Sequence, residues 1–395
     1  MRKYEYLIIG GGMTADSAVK GIRKVDQKGR IALISMEDYP PYDRPPLTKA
    51  LWRGDKKVEE IWRSTSDFNV DLYLSQTAQK IDPTKKQVIA DKDQIYQYDK
   101  LLLATGGSPR HIPNDVSEII YYRTFSDYKK LIDLVKMHQN FGVIGGGFIG
   151  SEIAAALAMK NKNVTMIFPE AGISGAVFPE KISLFLNSYF TEKGITIRTR
   201  ELVTSMEKVD EKIKIQTNKN QTLDFDCLIA GIGITPTVTL AKDAGLEVEN
   251  GIIVDKYLRT SNHDIFAAGD VANFENPHLE KRIRVEHEDN ANTMGEISGR
   301  NMAGETNVYN YLPYFYSDLF DLGYEAVGEI NSKLDIVIDW KEEFRKGVIY
   351  YLSQNKIRGV LLWNVWNQIN AARNLIASKE SFNPQNVIGL LPKKD

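Results

Sequence analysis

Glycines 145, 147 and 150, within F-G-V-I-G-G-G-F-I-G-S-E (Phe141–Glu152), stand at G-x-G-x-x-G spacing. Phe141, Val143 and Ile144 before them read as a buried strand, and Ile149, Ile153, Ala154 and Leu157 after them recur at helical spacing. Such a strand–turn–helix is built for a dinucleotide. The first glycine permits a tight turn, the second lets a pyrophosphate approach the backbone, and the third lets helix and strand pack closely. The new helix offers unpaired N–H groups to the phosphates. Glu152 is expected in its first turn, where the helix dipole stabilises a carboxylate. The pattern occurs twice: Gly10, Gly12 and Ala15, in Y-E-Y-L-I-I-G-G-G-M-T-A, give G-x-G-x-x-A after another apolar strand.

Each fingerprint has an acid at the position of a ribose ligand, roughly 20 residues on. The strand Arg30–Ser35 leads to Glu37, otherwise an ordinary loop acid, and Val164–Phe168 leads to Glu170. No arginine lies between Phe168 and Val177 to receive a 2′-phosphate, so NADH is expected over NADPH, although a distant arginine could substitute. In P-Y-D-R-P-P-L-T-K-A-L-W (Pro40–Trp52) the prolines stiffen a loop that offers Arg44 and Lys49, with a helix starting over Leu47–Trp52. A lone Lys or Arg is by default a solvated surface charge. Here the rigid loop argues for pre-organisation. Lys100–Pro109 is an apolar strand that bends sharply over something at Ala104, Thr105 and Gly106. Cys227–Pro236 repeats that logic at Gly231 and Gly233, so the two halves resemble related nucleotide units. In I-F-A-A-G-D, Gly269 permits close approach and Asp270 suits a polyol hydroxyl. Glu286 and His287 open the helical stretch Val285–Met302; such acids ordinarily stabilise a helix start, and a lone histidine is more often structural.

These groups need several elements to position them, and the chain is long enough to supply two or three domains: 395 residues at a formal charge of −2. Lysines and arginines are spread, which gives no nucleic-acid surface. No apolar run approaches the roughly 18 residues of a membrane helix. The first strand begins almost at Met1, leaving no room for a signal or transit peptide, so a cytoplasmic location is expected. Nothing is assigned to a metal. The single cysteine, Cys227, sits in F-D-C-L-I-A and reads as a small buried strand residue. Dithiol relays of the thioredoxin-, glutathione- and mercuric-reductase kind are therefore excluded. Ser126–Met137 and Lys181–Lys193 read as helices and Ile195–Thr222 as an inserted antiparallel piece. Beyond Tyr311 the composition shifts to aromatic and β-branched residues: strands over Tyr324–Ile330, Leu334–Trp340, Gly347–Leu352 and Ile357–Trp363, then a helix over Val365–Ser378.

Taken together, P-Y-D-R-P-P-L-T-K, A-T-G-G-S-P-R, G-G-G-F-I-G-S-E, A-G-D, R-V-E-H, Y-S-D-L, K-G-V-I-Y-Y-L and L-L-W-N resemble the apoptosis-inducing factor and oxygenase-coupled ferredoxin reductase family, which includes rubredoxin and putidaredoxin reductases. The last two motifs, with F-P-E at Phe168–Glu170, are more similar to apoptosis-inducing factor. The resemblance implies an α/β fold with two Rossmann-like dinucleotide-binding domains and a C-terminal α+β domain. FAD would take residues 1–115 and 244–308, NADH residues 116–243, and the third domain residues 309–395. It implies that Arg44 and Arg110 contact FAD, that Lys49 and Glu152 pair beside the flavin's reactive edge, and that Asp270 holds the ribitol. Glu170 would bind the NADH ribose, and Phe148 would lie over the isoalloxazine until nicotinamide displaces it. Glu286 and His287 would sit near the pyrimidine and nicotinamide side. Tyr316 stands where the family usually has Trp in W-S-D.

The expected function is therefore an FAD-dependent NADH oxidoreductase. Hydride would pass from nicotinamide C4 to flavin N5, and single electrons would leave to an iron–sulfur protein, a ferredoxin or rubredoxin. A monomer or homodimer is expected, without nucleic acid or membrane. The leader, anchor and long C-terminal insertion of vertebrate apoptosis-inducing factor are not expected here, so its death-related roles are not carried over. The alternative is a redox-controlled interaction protein with a long-lived NADH–flavin charge-transfer complex and slow turnover.

Overall fold

The computed structural model describes residues 2–392. The chain folds into two compact units. One comprises the chain up to Arg44, Lys57–Ser108 and Thr235–Tyr314; the other comprises Pro45–Lys56, Pro109–Ile234 and the chain from Phe315 onward.

In the first unit, Arg2–Ile9 lies parallel between Ile31–Ile34 and Gln94–Leu103, with Val70–Tyr73 outside Ile31–Ile34. Leu7, Ile8, Ala32, Leu33 and Leu101–Leu103 are fully buried, as continuous apolar runs are in a parallel sheet covered on both faces. Gln94–Leu103 is long enough to have two partners on its far side. Its start pairs antiparallel with Gln87–Ala90, and its end pairs parallel with Ile265–Ala267. The distant A-G-D run is thereby delivered to the same sheet edge as the first glycine turn. Two helices cover this end, Met13–Val25 and Glu288–Met302. They pack backbone to backbone, because a side chain at Gly295 or Gly299 would meet the carbonyl oxygens of Thr14 and Ala18.

The second unit repeats the parallel design. Its sheet runs Ile195–Arg198, Asn163–Ile167, Asn140–Ile144, Cys227–Ala230, Ile120–Tyr121. A three-stranded antiparallel sheet, Val203–Val209, Lys212–Thr217 and Thr222–Phe225, precedes Cys227. The C-terminal part is a five-stranded sheet ordered Tyr314–Leu319, Leu322–Gly328, Lys356–Trp363, Lys346–Ser353, Asp335–Glu342, with the helix Ile369–Ser378 against it. The α/β class with two dinucleotide-type sheets and an added C-terminal sheet is thus as expected.

Several local expectations change. Ile195–Arg198 does not belong to the antiparallel insertion but is the edge strand of the parallel sheet, because the helix Glu180–Glu192, which buries Ile182, Leu186 and Phe190, acts as its crossover. The helix at Leu47–Trp52 is only a 3₁₀ turn, Pro45–Leu47, and one α-turn, Ala50–Arg53, which Gly54 ends at φ 84°. The C-terminal helix starts at Ile369 rather than Val365, since Asn364 and Asn367 take left-handed φ of 48° and 63° and turn the chain first. Tyr314–Leu319 is a strand that alternation did not reveal; it is an edge strand whose first three residues are half-buried in succession. No helix among the described residues is long and apolar enough to cross a membrane.

Candidate functional site

At the first glycine turn, Gly10 has φ 122° and no room for a side chain, which would meet the Ala104 carbonyl. That close approach couples the turn to the bend at Ala104, Thr105 and Gly106. Ala104 N–H donates to the Ile9 carbonyl (2.8 Å), Thr105 Oγ1 donates to the Thr237 carbonyl (2.7 Å), and Gly106 accepts from Thr237 N–H (3.0 Å). Ala15 is fully buried against the sheet. Gly12 differs. It caps the helix Met13–Val25, no side chain satisfies that helix start, and the nearest atoms to an added side chain are those of the Arg44 guanidinium, at 4.0 Å. An uncapped helix N-terminus with a cation beside it is what a diphosphate requires.

Arg44 is ion-paired with Glu37, and Tyr42 Oη donates to the same carboxylate at 2.6 Å. Burial alone would lower the arginine's pKa, but Tyr42, Glu37 and Asp270 hold it above its ordinary value, so the cation is permanent. The sequence points to separate roles for Glu37, a ribose acid, and Arg44, a loop cation; the fold pairs them. Gly269, at φ 77°, leaves no room between itself and the Thr14 hydroxyl, which sets Asp270 beside the start of the same helix. The Asp270 carbonyl accepts from Arg284 (3.0 Å), and Arg284 also bridges Glu286 (2.7 Å). His287 is the residue before Glu288–Met302; its carbonyl accepts from Ala291 N–H and its side chain does not cap the helix.

The second turn has the same division of labour. Gly145 (φ 112°) faces the Gly231 carbonyl, and Gly150 faces the Gly145 carbonyl, so neither accepts a side chain. Gly147, the residue that opens the helix Phe148–Met159, has nothing within 4 Å. Phe148 is half-buried with its ring 5.2 Å from that of Phe315, and Ile149 is exposed. Gly231 N–H donates to the Ile144 carbonyl (2.9 Å). Gly233, at φ 90°, lies beside exposed Arg110, which donates from N–H to the Gly233 carbonyl (2.9 Å) and from Nε to that of Ile234 (3.3 Å). Glu170 is exposed past the strand Asn163–Ile167, and its carbonyl accepts from Arg200 N–H at 3.0 Å. Arg200, 30 positions further on, thus meets Glu170 through the backbone.

Also in the second unit, Lys49 Nζ lies 2.8 Å from Glu152 Oε1, with only 10% and 3% of these side chains exposed. Glu152 is the fifth residue of its helix, not in the first turn, so the dipole is not what holds it. Its partners do. Ser317 Oγ donates to Oε1 at 2.5 Å, and Thr48 Oγ1 donates to Oε2. Lys49 Nζ is also 5.2 Å from the Tyr316 ring centre, the distance of a cation–π contact. Thr48 and Ser317 lie inside motifs read from the sequence but were not singled out. Bonds that span 104 and 165 positions leave no local signal. Cys227 is buried and its thiol is pushed up to about 12, chiefly by desolvation, so it supplies no thiolate at neutral pH.

Known proteins resemble this chain over most of its length. Residues 4–295 match the pyridine nucleotide-disulphide oxidoreductase family, and residues 338–378 match the C-terminal region of mitochondrion-associated apoptosis-inducing factor. Apoptosis-inducing factor 1 of Dictyostelium discoideum is 33% identical over 98% of this chain and 80% of its own length. Monodehydroascorbate reductase 3 of Arabidopsis thaliana is 32% identical over 91% of this chain and 89% of its own. Among solved structures, the covalent putidaredoxin reductase–putidaredoxin complex matches with a TM-score of 0.91 and 27% identity, covering 98% of this chain and 96% of that one. The chain belongs to the pyridine nucleotide-disulphide oxidoreductase family, in the group of FAD- and NAD(P)H-dependent flavoproteins that includes apoptosis-inducing factor and the putidaredoxin and ferredoxin reductases.

Proposed function

We propose that this oxidoreductase takes electrons from NADH into FAD and passes them singly to a small iron–sulfur protein of the ferredoxin or rubredoxin type. The observation that carries it is the pair of glycine turns in which only Gly12 and Gly147 face open space, each at an uncapped helix start. FAD is assigned to residues 1–115 and 244–308, with Arg44 on the diphosphate, Glu37 on the adenosine ribose and Asp270 on the ribitol. NADH is assigned to residues 116–243, with Gly147 at the diphosphate and Glu170 at the ribose. Bound FAD supplies the chemistry, accepting a hydride and releasing single electrons. The chain supplies orientation and charge: Lys49, held by Glu152, presents an ammonium to the flavin ring, and Phe148 shields the ring until nicotinamide enters. The helix after His287 offers its positive end to charge that develops on the ring.

An iron–sulfur acceptor is supported by the likeness to putidaredoxin reductase, a protein solved joined to putidaredoxin. With a single buried cysteine, a dithiol route has no residues to run through. The match of residues 338–378 to the C-terminal region of apoptosis-inducing factor favours a second reading, a redox-controlled interaction protein with slow turnover. Anaerobic titration with NADH separates the two. The proposal expects prompt bleaching of the flavin and rapid recovery of colour on adding oxidised ferredoxin or rubredoxin. A long-wavelength charge-transfer band that persists beside these acceptors and in air, with altered oligomeric state, would favour the second reading. Failure to bleach ends both.

A further inference from the structure

Three donors converge on one carboxylate. Glu152 Oε1 receives Lys49 Nζ and Ser317 Oγ, and Oε2 receives Thr48 Oγ1. These donors come from three elements: the Pro45–Leu47 turn and its exit, the helix start at Ala50, and the edge strand Tyr314–Leu319. Other polar groups surround the cluster. Tyr324, on the neighbouring strand, is hydrogen-bonded to Ser317, and burial and then the charge of Glu152 push its phenol well above its ordinary value. Tyr324 therefore offers a hydrogen bond and never a charge. Asp318 is occupied by Arg53 at 3.0 Å. Lys49 is thus the cation that neutralises Glu152, and the two hydroxyls fix the direction in which the carboxylate holds it.

We propose that Thr48 and Ser317 are positioning residues that clamp the Glu152 carboxylate from both oxygens and so fix the Lys49 ammonium in its working position. The clamp rests on the oxidoreductase reading for its purpose, not for its existence. A glutamate carboxylate on three rotatable bonds with one ion-pair partner would swing with that partner. Tied at both oxygens it becomes a fixed strut, and a lysine with a four-carbon stem is otherwise the least fixed of cations. Pre-organisation of a charge is the term through which such a residue acts on rate.

Thr48→Val and Ser317→Ala remove one donor each without changing charge. In the FAD-loaded protein, each variant should lower the limiting rate of flavin reduction by NADH about tenfold, the worth of one charge-assisted hydrogen bond at the low end of its range. The NADH concentration giving half that rate should stay unchanged. Thr48→Ser and Ser317→Thr should restore the rate, which a generally loosened fold would not allow. A second measurement needs no cofactor: the rate at which an amine-acylating reagent labels Lys49 in FAD-free protein, read by peptide mass mapping. It should be slow in the parent and several-fold faster in Thr48→Val and Ser317→Ala, with other lysines unchanged. Unchanged Lys49 labelling in both variants would overturn the clamp. Should labelling respond while Lys49→Ala still reduces its flavin at the parent rate, the clamp stands and the role given to Lys49 in the reaction falls.

Discussion

Lys49 and Glu152 form a buried ion pair whose members respond differently to removal. Lys49→Met leaves a carboxylate buried without its cation, which costs about 3–5 kcal/mol. The thermal midpoint should fall and flavin reduction should slow, while FAD stays bound. Adding Glu152→Gln removes the stranded charge and keeps an acceptor for Thr48 and Ser317. The double variant should regain most of the lost midpoint and none of the lost rate. Scanning calorimetry with stopped-flow reduction separates the two effects; recovery of both together would show Lys49 to be structural only. Glu170 poses a different question, because the backbone of Arg200 reaches it. A carboxylate repels a 2′-phosphate, so the charge of Glu170 disfavours NADPH. Glu170→Gln should raise the ratio of kcat/KM for NADPH over NADH by up to about fivefold, since one exposed charge interaction is worth about 0.2–1 kcal/mol. A parent protein that already prefers NADPH would show the ribose assignment to be wrong.

At the scale of elements, each glycine turn contains two kinds of glycine that the fingerprint does not distinguish. Gly150→Ala must displace the Gly145 carbonyl and should cost about 1–3 kcal/mol, seen as a lower thermal midpoint. Gly147→Ala meets no atom within 4 Å and its φ of −80° suits alanine, so the midpoint should hardly move. Its KM for NADH should rise about tenfold, since the methyl occupies the space through which the diphosphate approaches. An unchanged KM would place the dinucleotide elsewhere. Both turns were legible in the sequence because strand, turn and helix follow one another within about 20 residues. The central parallel strands were legible for the same reason, as apolar runs, whereas Val70–Tyr73, Ile120–Tyr121 and Ile195–Arg198, short and partly polar, were not. What stayed hidden depends on distance along the chain. The Thr48–Glu152–Ser317 clamp, the approach of Arg200 to Glu170 and the edge strand Tyr314–Leu319 all rest on partners that no local pattern names. The helix expected to start over Leu47–Trp52 was overread because Gly54 ends it after a single turn at Ala50–Arg53.

The whole chain divides its two dinucleotide turns between two compact units, the Gly10 turn in one and the Gly145 turn in the other. Each unit draws on separate stretches of sequence, so neither turn's unit is a simple N- or C-terminal half. A ligand that binds only the folded state stabilises it by RT ln(1 + [L]/Kd), about 2.7 kcal/mol at a hundred times Kd. That stabilisation should appear first in the unit that holds the ligand, and hydrogen exchange reads it peptide by peptide. Stripping FAD from the purified protein should speed exchange in peptides over Ile9–Ala18 and Ala268–Val271, and re-addition should slow it again. Saturating NAD⁺ on the FAD-loaded protein should instead slow exchange over Ile144–Ile153 and Phe168–Ser174. The two footprints test the assignment of cofactors to turns without any turnover, and they can fail independently of the acceptor. Protection by NAD⁺ at Gly10–Ala15 with none at Gly145–Gly150 would exchange the roles of the two units. Protection at neither would remove the dinucleotide reading of the second turn altogether.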